Sequence, residues 1–416
     1  MSGSSKLDIA SSPRGTSSAL EGLRVLDLSR LLPGGFCSLL LADFGADVIK
    51  VEDTGMGDYI RWAPPYYEGA ERSAASAMFL SLNRGKRSIR VDLKSEPGRE
   101  VLLRLVRGAD VLLESFRPGV MDRLGVGYET LRDVNPGLVY CAITGYGQDG
   151  PDRDRAGHDI DYLARNGLLG LTGERGGPPL SAAAQIADLG GGAQMAAFGI
   201  LAALRERDRS GEGQLVDVSM TRGAQSWLAM VAARHLADGE VPRRGELELA
   251  GGLPCYRTYA CADGHVALGA LEPKFWAAFC AGVERPDLVG RHTDPAVAPE
   301  LEAIFAARTR AEWAAFDDAH GCCLEPVREL DEALAAAPEA IVEVDQPGAR
   351  APVRLLGPPV GMSRTPPDGT RPGPSLGADT DAVLAAAGYD DAAIAALKAA
   401  GAVAGPENVT AGSFRA

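Results

Sequence analysis

The chain is poor in aromatic residues, in histidine and in net positive charge. Aromatics make up 6% of its 416 residues and histidine occupies five positions, so an imidazole inside a motif stands out. Lysine and arginine total 42 against 56 acidic residues, a formal net charge of −14. That balance excludes nucleic acid or an anionic membrane as the main partner, while a local basic groove could still hold a phosphate-bearing ligand. No uninterrupted apolar run approaches the ~18 residues of a membrane span. The Ser-rich start, 1–19, lacks the apolar core of a signal peptide and reads as a disordered leader. A soluble, cytoplasmic protein follows. GxGxxG and P-loop patterns are absent, which removes two common phosphate cradles. The seven cysteines, at 37, 141, 255, 261, 280, 322 and 323, show no CxxC or Cys/His grouping, so reduced, packed thiols and no metal are expected.

The hydrophobic fraction, 46%, gives ample core for two domains. Short β-branched runs alternate with helical patterns through the first half: strands at 23–28, 47–51, 88–93, 110–113 and 138–144, with helices at 36–44 and 98–108. This alternation predicts a largely parallel sheet covered on both faces. A small-residue helix over 190–205, the turn 210–213, a strand over 214–218 and a helical run over 222–236 come next. Residues 254–269 read as a hairpin around Asp263-Gly264, with helices from Glu272 and Glu300 onward, and the Pro- and Gly-rich 347–374 as an extended return segment. The expected organisation is α/β: a Rossmann-like large domain (20–220), a linker helix (221–249), a smaller α+β domain (250–340), and a return segment with C-terminal helices (341–416) that completes the large domain.

Two stretches carry chemistry. Ala156-Gly157-His158-Asp159-Ile160-Asp161-Tyr162 offers an imidazole, and Gln185-Ile186-Ala187-Asp188-Leu189-Gly190-Gly191-Gly192 a carboxylate before a glycine run open to a ligand. An imidazole and a carboxylate can serve one carbon from opposite sides, which suggests carbon-acid chemistry. Free N–H groups at the helix start, those of Asp188, Leu189 and Gly190, would meet a developing oxyanion. Plainer roles compete: Asp188 as a helix cap, His158 as a surface residue, and Lys86 with Arg87 as a solvated charge run.

Several ordered blocks resemble the class III CoA-transferase family of CaiB/BaiF type, in its α-methylacyl-CoA racemase branch. They are Leu20-Glu21-Gly22-Leu23-Arg24-Val25-Leu26-Asp27, Ala42-Asp43-Phe44-Gly45-Ala46-Asp47, Asn83-Arg84-Gly85-Lys86-Arg87-Ser88, Glu114-Ser115-Phe116-Arg117-Pro118-Gly119, Thr144-Gly145-Tyr146-Gly147 and Leu376-Gly377-Ala378-Asp379-Thr380. The resemblance implies a large domain that binds CoA, an acyl-CoA thioester as substrate, no cofactor apart from that CoA, and an interlocked homodimer. In the transferases the residue matching Asp188 is a nucleophile that becomes an aspartyl-CoA thioester. In the racemases it is an acid/base facing the His of a Gly-His-Asp-Ile motif, which this chain has at His158. The racemase pattern adds a Glu beside that His, and Ala270-Leu271-Glu272-Pro273 matches its place, although Glu272 could instead cap the helix that follows. Along the CoA groove the resemblance places Arg84, Arg87, Asp92, Leu93, Lys94, Phe116, Arg117 and Arg123, with Lys86 nearby. The stretch 57–83 looks like the longer form common in transferases. A non-catalytic CoA-ester binder would not need His158, Asp188 and Glu272 together.

Overall fold

The computed structural model describes residues 18–407, 409 and 411–414. The leader assigned to 1–19 therefore falls almost wholly outside the described residues. The chain forms two compact units. The first contains the residues up to Tyr162, Ala184–Ser226 and Glu339–Ala416; the second contains Leu163–Ala183 and Trp227–Pro338. The expected unbroken large domain over 20–220 is thus interrupted. Leu163–Ala183 groups with the second unit, an association no local sequence signal announces.

The first unit is built on seven strands: β1 (Arg24–Asp27), β2 (Asp47–Glu52), β3 (Arg87–Val91), β4 (Val111–Glu114), β5 (Val139–Thr144), β6 (Leu215–Ser219) and β12 (Val403–Ala404). Their order is β12-β3-β2-β1-β4-β5-β6. All pairs are parallel except β12 with β3. The strand order reverses between β1 and β4, and in such sheets ligands bind beyond the carboxyl ends of the strands at that point. Strands β1, β4 and β5 are buried on both faces, which is why they read as continuous apolar runs.

The first helix spans Leu31–Asp43, not 36–44. Pro33 lies in the first helical turn, where a missing N–H costs nothing. The long helix opens at Ile186 and ends at Ser210, its first nine residues in the wider π form. Its apolar window, of mean hydropathy 1.3, could cross a membrane by length and composition alone, but half of that window is buried within the fold. The helical run expected over 222–236 is broken into Met220–Gln225 and Ala229–Asp238, joined by a short 3-10 turn.

The stretch 57–83 folds as two 3-10 turns and the helix Ala77–Asn83. It packs with an antiparallel hairpin, β10 (Ile341–Val344) and β11 (Val353–Leu356), in one apolar cluster that includes Ile60, Phe79 and Val353. The expected return segment therefore begins with a strand pair rather than an extended chain.

In the second unit β7 (Tyr256–Cys261), β8 (Gly264–Gly269) and β9 (Leu324–Pro326) form an antiparallel sheet whose first hairpin turns before Gly264, as the Asp-Gly pair predicts. Its core is aromatic, with Tyr259, Phe279, Phe305 and Trp313 in stacked or tilted contact. All seven cysteines are free. Among the described residues no cluster of three or more His, Cys, Asp or Glu could hold a metal.

Candidate functional site

Strand β5 ends in Thr144, and the loop beyond it returns at His158 to open the helix Asp159–Asn166. The start of that helix is held by backbone. The His158 N–H donates to Asp161 Oδ2 at 2.9 Å, and the His158 carbonyl accepts from the N–H groups of Asp161 and Tyr162. The backbone of His158 is thereby fixed while the residue stays exposed. The Tyr162 hydroxyl donates to the Gly157 carbonyl at 2.6 Å, and its ring meets Tyr146 edge to face at 5.3 Å. A Cβ at Gly145 would lie 2.5 Å from the Tyr162 ring, so this glycine is required by the fit.

The second stretch is brought to the first by a direct bond: the Asp188 N–H donates to Asp159 Oδ1 at 2.9 Å. Asp188 is half-buried in the first turn of the π segment. Burial, reinforced by the negative charge of Asp159, pushes its carboxyl up to about 6, and the nearby His158 opposes the rise. Asp188 therefore changes protonation close to neutrality, as an acid/base group should.

The expectation of free amides at this helix start is not met. The Asp188 N–H is engaged by Asp159, and the Leu189 N–H donates to the Gln185 carbonyl at 2.9 Å. Gly190 is buried. The glycine run has a packing purpose as well: a Cβ at Gly191 would sit 2.6 Å from the Ala224 backbone nitrogen, so the run lets two helices approach.

Glu272 lies in the second unit, at the N-cap of Pro273–Gly282, and its side chain makes no cap bond. The capping role that competed for it is therefore not exercised. It is exposed, and its charge helps to raise the Cys323 thiol, whose main cause is burial. Cys323 lines a cavity of about 460 Å³ with Tyr256, Thr258, Ala267, Gly269 and Glu325.

The basic residues separate into two sets. Arg84 is buried against Asp43 at 2.6 Å, Lys86 is buried against Asp27 at 3.2 Å, and Arg87 is half-buried on Asp47 at 2.6 Å. These three are committed within the fold, so neither a charge run in solvent nor a free phosphate clamp describes them. Lys94, Arg117 and Arg123 are exposed and form no ion pair among the described residues. Asp92 accepts the Lys94 N–H, while Leu93 and Phe116 pack against the core of the sheet. Phe116 and Arg117 follow directly on β4, at the switch point.

Sequence reasoning gave Asp159 no definite task, although it touches Asp188. It also passed over Glu114, a buried carboxyl directly before the Arg-Pro-Gly turn. The signal available for each was its adjacency to a motif residue.

Comparisons with known proteins identify the family. The model of CoA-transferase family III matches residues 20–380. The chain is 37% identical over 393 residues to a succinyl-CoA:mesaconate CoA-transferase of Haloarcula marismortui, covering 89% of this chain and 97% of that protein. It is 38% identical over 394 residues to an alpha-methylacyl-CoA racemase of Mus musculus, covering 91% and 96%. A solved CAIB/BAIF family protein from Brucella suis superposes with a TM-score of 0.77 at 30% identity, covering 89% of this chain and 100% of that one. By sequence and by fold, the chain belongs to CoA-transferase family III.

Proposed function

We propose that this enzyme is a racemase or epimerase that interconverts the (R) and (S) forms of 2-methylacyl-CoA thioesters. The observation that carries this reading is the bond from the Asp188 N–H to Asp159, the residue after His158, which joins the imidazole-bearing stretch to a carboxyl raised to about 6. One group removes the proton on the carbon beside the thioester carbonyl. The electron pair of that C–H bond moves into an enolate, with charge on the thioester oxygen. The other group delivers its proton to the opposite face, and the carbonyl reforms. Asp188 and His158 exchange roles in the reverse direction. Asp159 holds the Asp188 backbone and disfavours its ionisation. The thioester oxygen reaches the Asp188 N–H by displacing Asp159 Oδ1. The reaction requires no cofactor beyond the CoA already on the substrate, whose phosphates meet Lys94, Arg117 and Arg123.

A homodimer is part of the same proposal. Each unit exposes large apolar side chains, Phe198 at 72% in the first and Met230 and Leu236 at 77% and 82% in the second, as a surface covered by another copy would.

A second reading, transfer of CoA between carboxylic acids through an aspartyl-CoA at Asp188, is favoured by the mesaconate CoA-transferase relative and by the long 57–83 stretch. Deuterium incorporation at the α-carbon of a 2-methylacyl-CoA in deuterated water, without an acceptor acid, decides between them. Exchange supports the racemase. CoA transfer to an added acid without exchange overturns it.

A further inference from the structure

Glu114 ends β4 at the switch point of the sheet and is 4% exposed. One carboxyl oxygen accepts the Phe116 N–H at 2.6 Å, and the Tyr140 hydroxyl stands 3.5 Å from the other. Immediately downstream, Gly119 adopts φ 76° and starts the short helix Val120–Arg123, while the Arg117 carbonyl accepts the Val120 N–H. The turn thus leaves the sheet through the one amide that Glu114 holds, and it carries two exposed arginines, 117 and 123.

We infer that Glu114 is a positioning residue: its buried carboxyl group anchors the Phe116 amide and so sets the turn that presents Arg117 and Arg123 to the phosphates of a CoA thioester. This rests on the family's use of CoA and not on the choice between racemase and transferase. The groups facing Glu114 are Tyr140 and Cys141 from β5 and Asp122 from the short helix. None is a cation. Burial accordingly raises the carboxyl to about 8, against smaller opposing effects from the Phe116 N–H and Tyr140. At neutral pH the acid is mostly uncharged, which lets it sit in this wall without a counter-ion. When it ionises, a charge without a cation beside it is left in that wall, and the turn it anchors shifts to rehydrate it, which takes Arg117 and Arg123 from the ligand.

The test is acetyl-CoA binding by calorimetry, from pH 7 to pH 9.5, to the full-length wild-type protein and to Glu114→Ala and Glu114→Gln. Glutamine copies the uncharged acid: it offers an acceptor to Phe116 and cannot ionise. Glu114→Ala should weaken binding at pH 7 roughly tenfold or more, as an unpaired buried amide and a loosened turn would. Glu114→Gln should bind within about twofold of wild type at pH 7 and lose the fall in affinity that wild type shows through about 8. Alanine binding like wild type, glutamine binding as poorly as alanine, or a glutamine variant with the wild-type pH profile would each overturn the inference. If alanine does not fold, the glutamine comparison still decides. Wild-type protein that fails to bind acetyl-CoA at all would overturn the CoA-site reading, and this inference with it.

Discussion

Glu52 and Asp188 are carboxylates of the same unit, each withdrawn from solvent, yet the fold treats them oppositely. Glu52 is fully enclosed and receives both Arg61 Nε and Nη2, at 2.8 and 2.6 Å, with the Ser88 hydroxyl at 2.7 Å. Burial alone would raise its carboxyl; Arg61, then Lys50 and Ser88, more than offset it and hold the group at about 2. Around it Lys50 pairs with Asp58 at 3.0 Å, and Lys86 pairs with Asp27. Three acids are thereby matched by three bases. Asp188 is less buried but has a second acid beside it, and it rises to about 6. Burial by itself does not decide the charge of an acid in this protein. The balance of burial against its neighbours does: around Glu52 the cations outweigh burial, whereas at Asp188 burial is reinforced by Asp159.

The comparison can be broken most severely at the reactive end. Asp188→Asn keeps the shape and removes the titrating group, so interconversion of the (R) and (S) thioesters should fall by roughly 10²–10⁴-fold, while circular dichroism stays that of the wild type. His158→Asn should do the same. Interconversion rates close to wild type in either variant would end the acid/base assignment.

At the architectural end, Arg61→Met leaves Glu52 buried without its main partner and should cost about 3–5 kcal/mol in urea denaturation. The double variant Glu52→Gln/Arg61→Met should recover part of that loss, because an unpaired buried charge costs more than a missing pair.

Acid titration should separate the two carboxylates. Glu52 has a folded-state value depressed from 4.5 to about 2, so its stabilisation is complete above about 4.5 and disappears as pH falls toward 2. Asp188 has the opposite sign: raised from 3.8 to about 6, it makes the fold less stable as pH rises through that interval. The kcat/KM for the direction in which Asp188 is the base should fall below about pH 6. Glu52→Gln should flatten the acid limb of the stability profile without moving the rate profile.

A smaller effect sharpens the role of Asp159. Asp159→Asn removes the charge beside Asp188 while keeping an acceptor for its N–H, so the acid inflection of kcat/KM should move to lower pH. An unmoved inflection would mean that burial alone raises Asp188. Smallest of all is the surface control: Lys398 meets Asp381 at 2.8 Å in a solvent-exposed pair, and Asp381→Asn should cost under about 1 kcal/mol.

Much of this architecture was legible before the coordinates. The strands from β1 to β6 fall where short β-branched runs place them, even though β2 and β3 also carry buried charges such as Lys50, Glu52 and Arg90. The hairpin of the second unit follows from Asp263-Gly264. The stretches around His158 and Asp188 stood out because an imidazole and a carboxylate lay among distinctive neighbours, and the fold joins the two stretches through Asp159. Local pattern failed where long-range packing chose the outcome: Leu163–Ala183 joins the second unit, and Gly191 also serves the close approach of a helix.

By itself the sequence determined the residue types, their order along the chain and the alternation that builds a parallel sheet. Tertiary structure alone decided which charges meet. It buried Arg84 on Asp43 and Lys86 on Asp27 while leaving Lys94, Arg117 and Arg123 in solvent, although the five cations of that comparison look alike in sequence. It also placed Asp159 on the Asp188 amide and assigned Leu163–Ala183 to the second unit. The physical reason is that propensity and periodicity act between near neighbours in the chain, whereas desolvation and charge pairing depend on what the fold brings together from far apart.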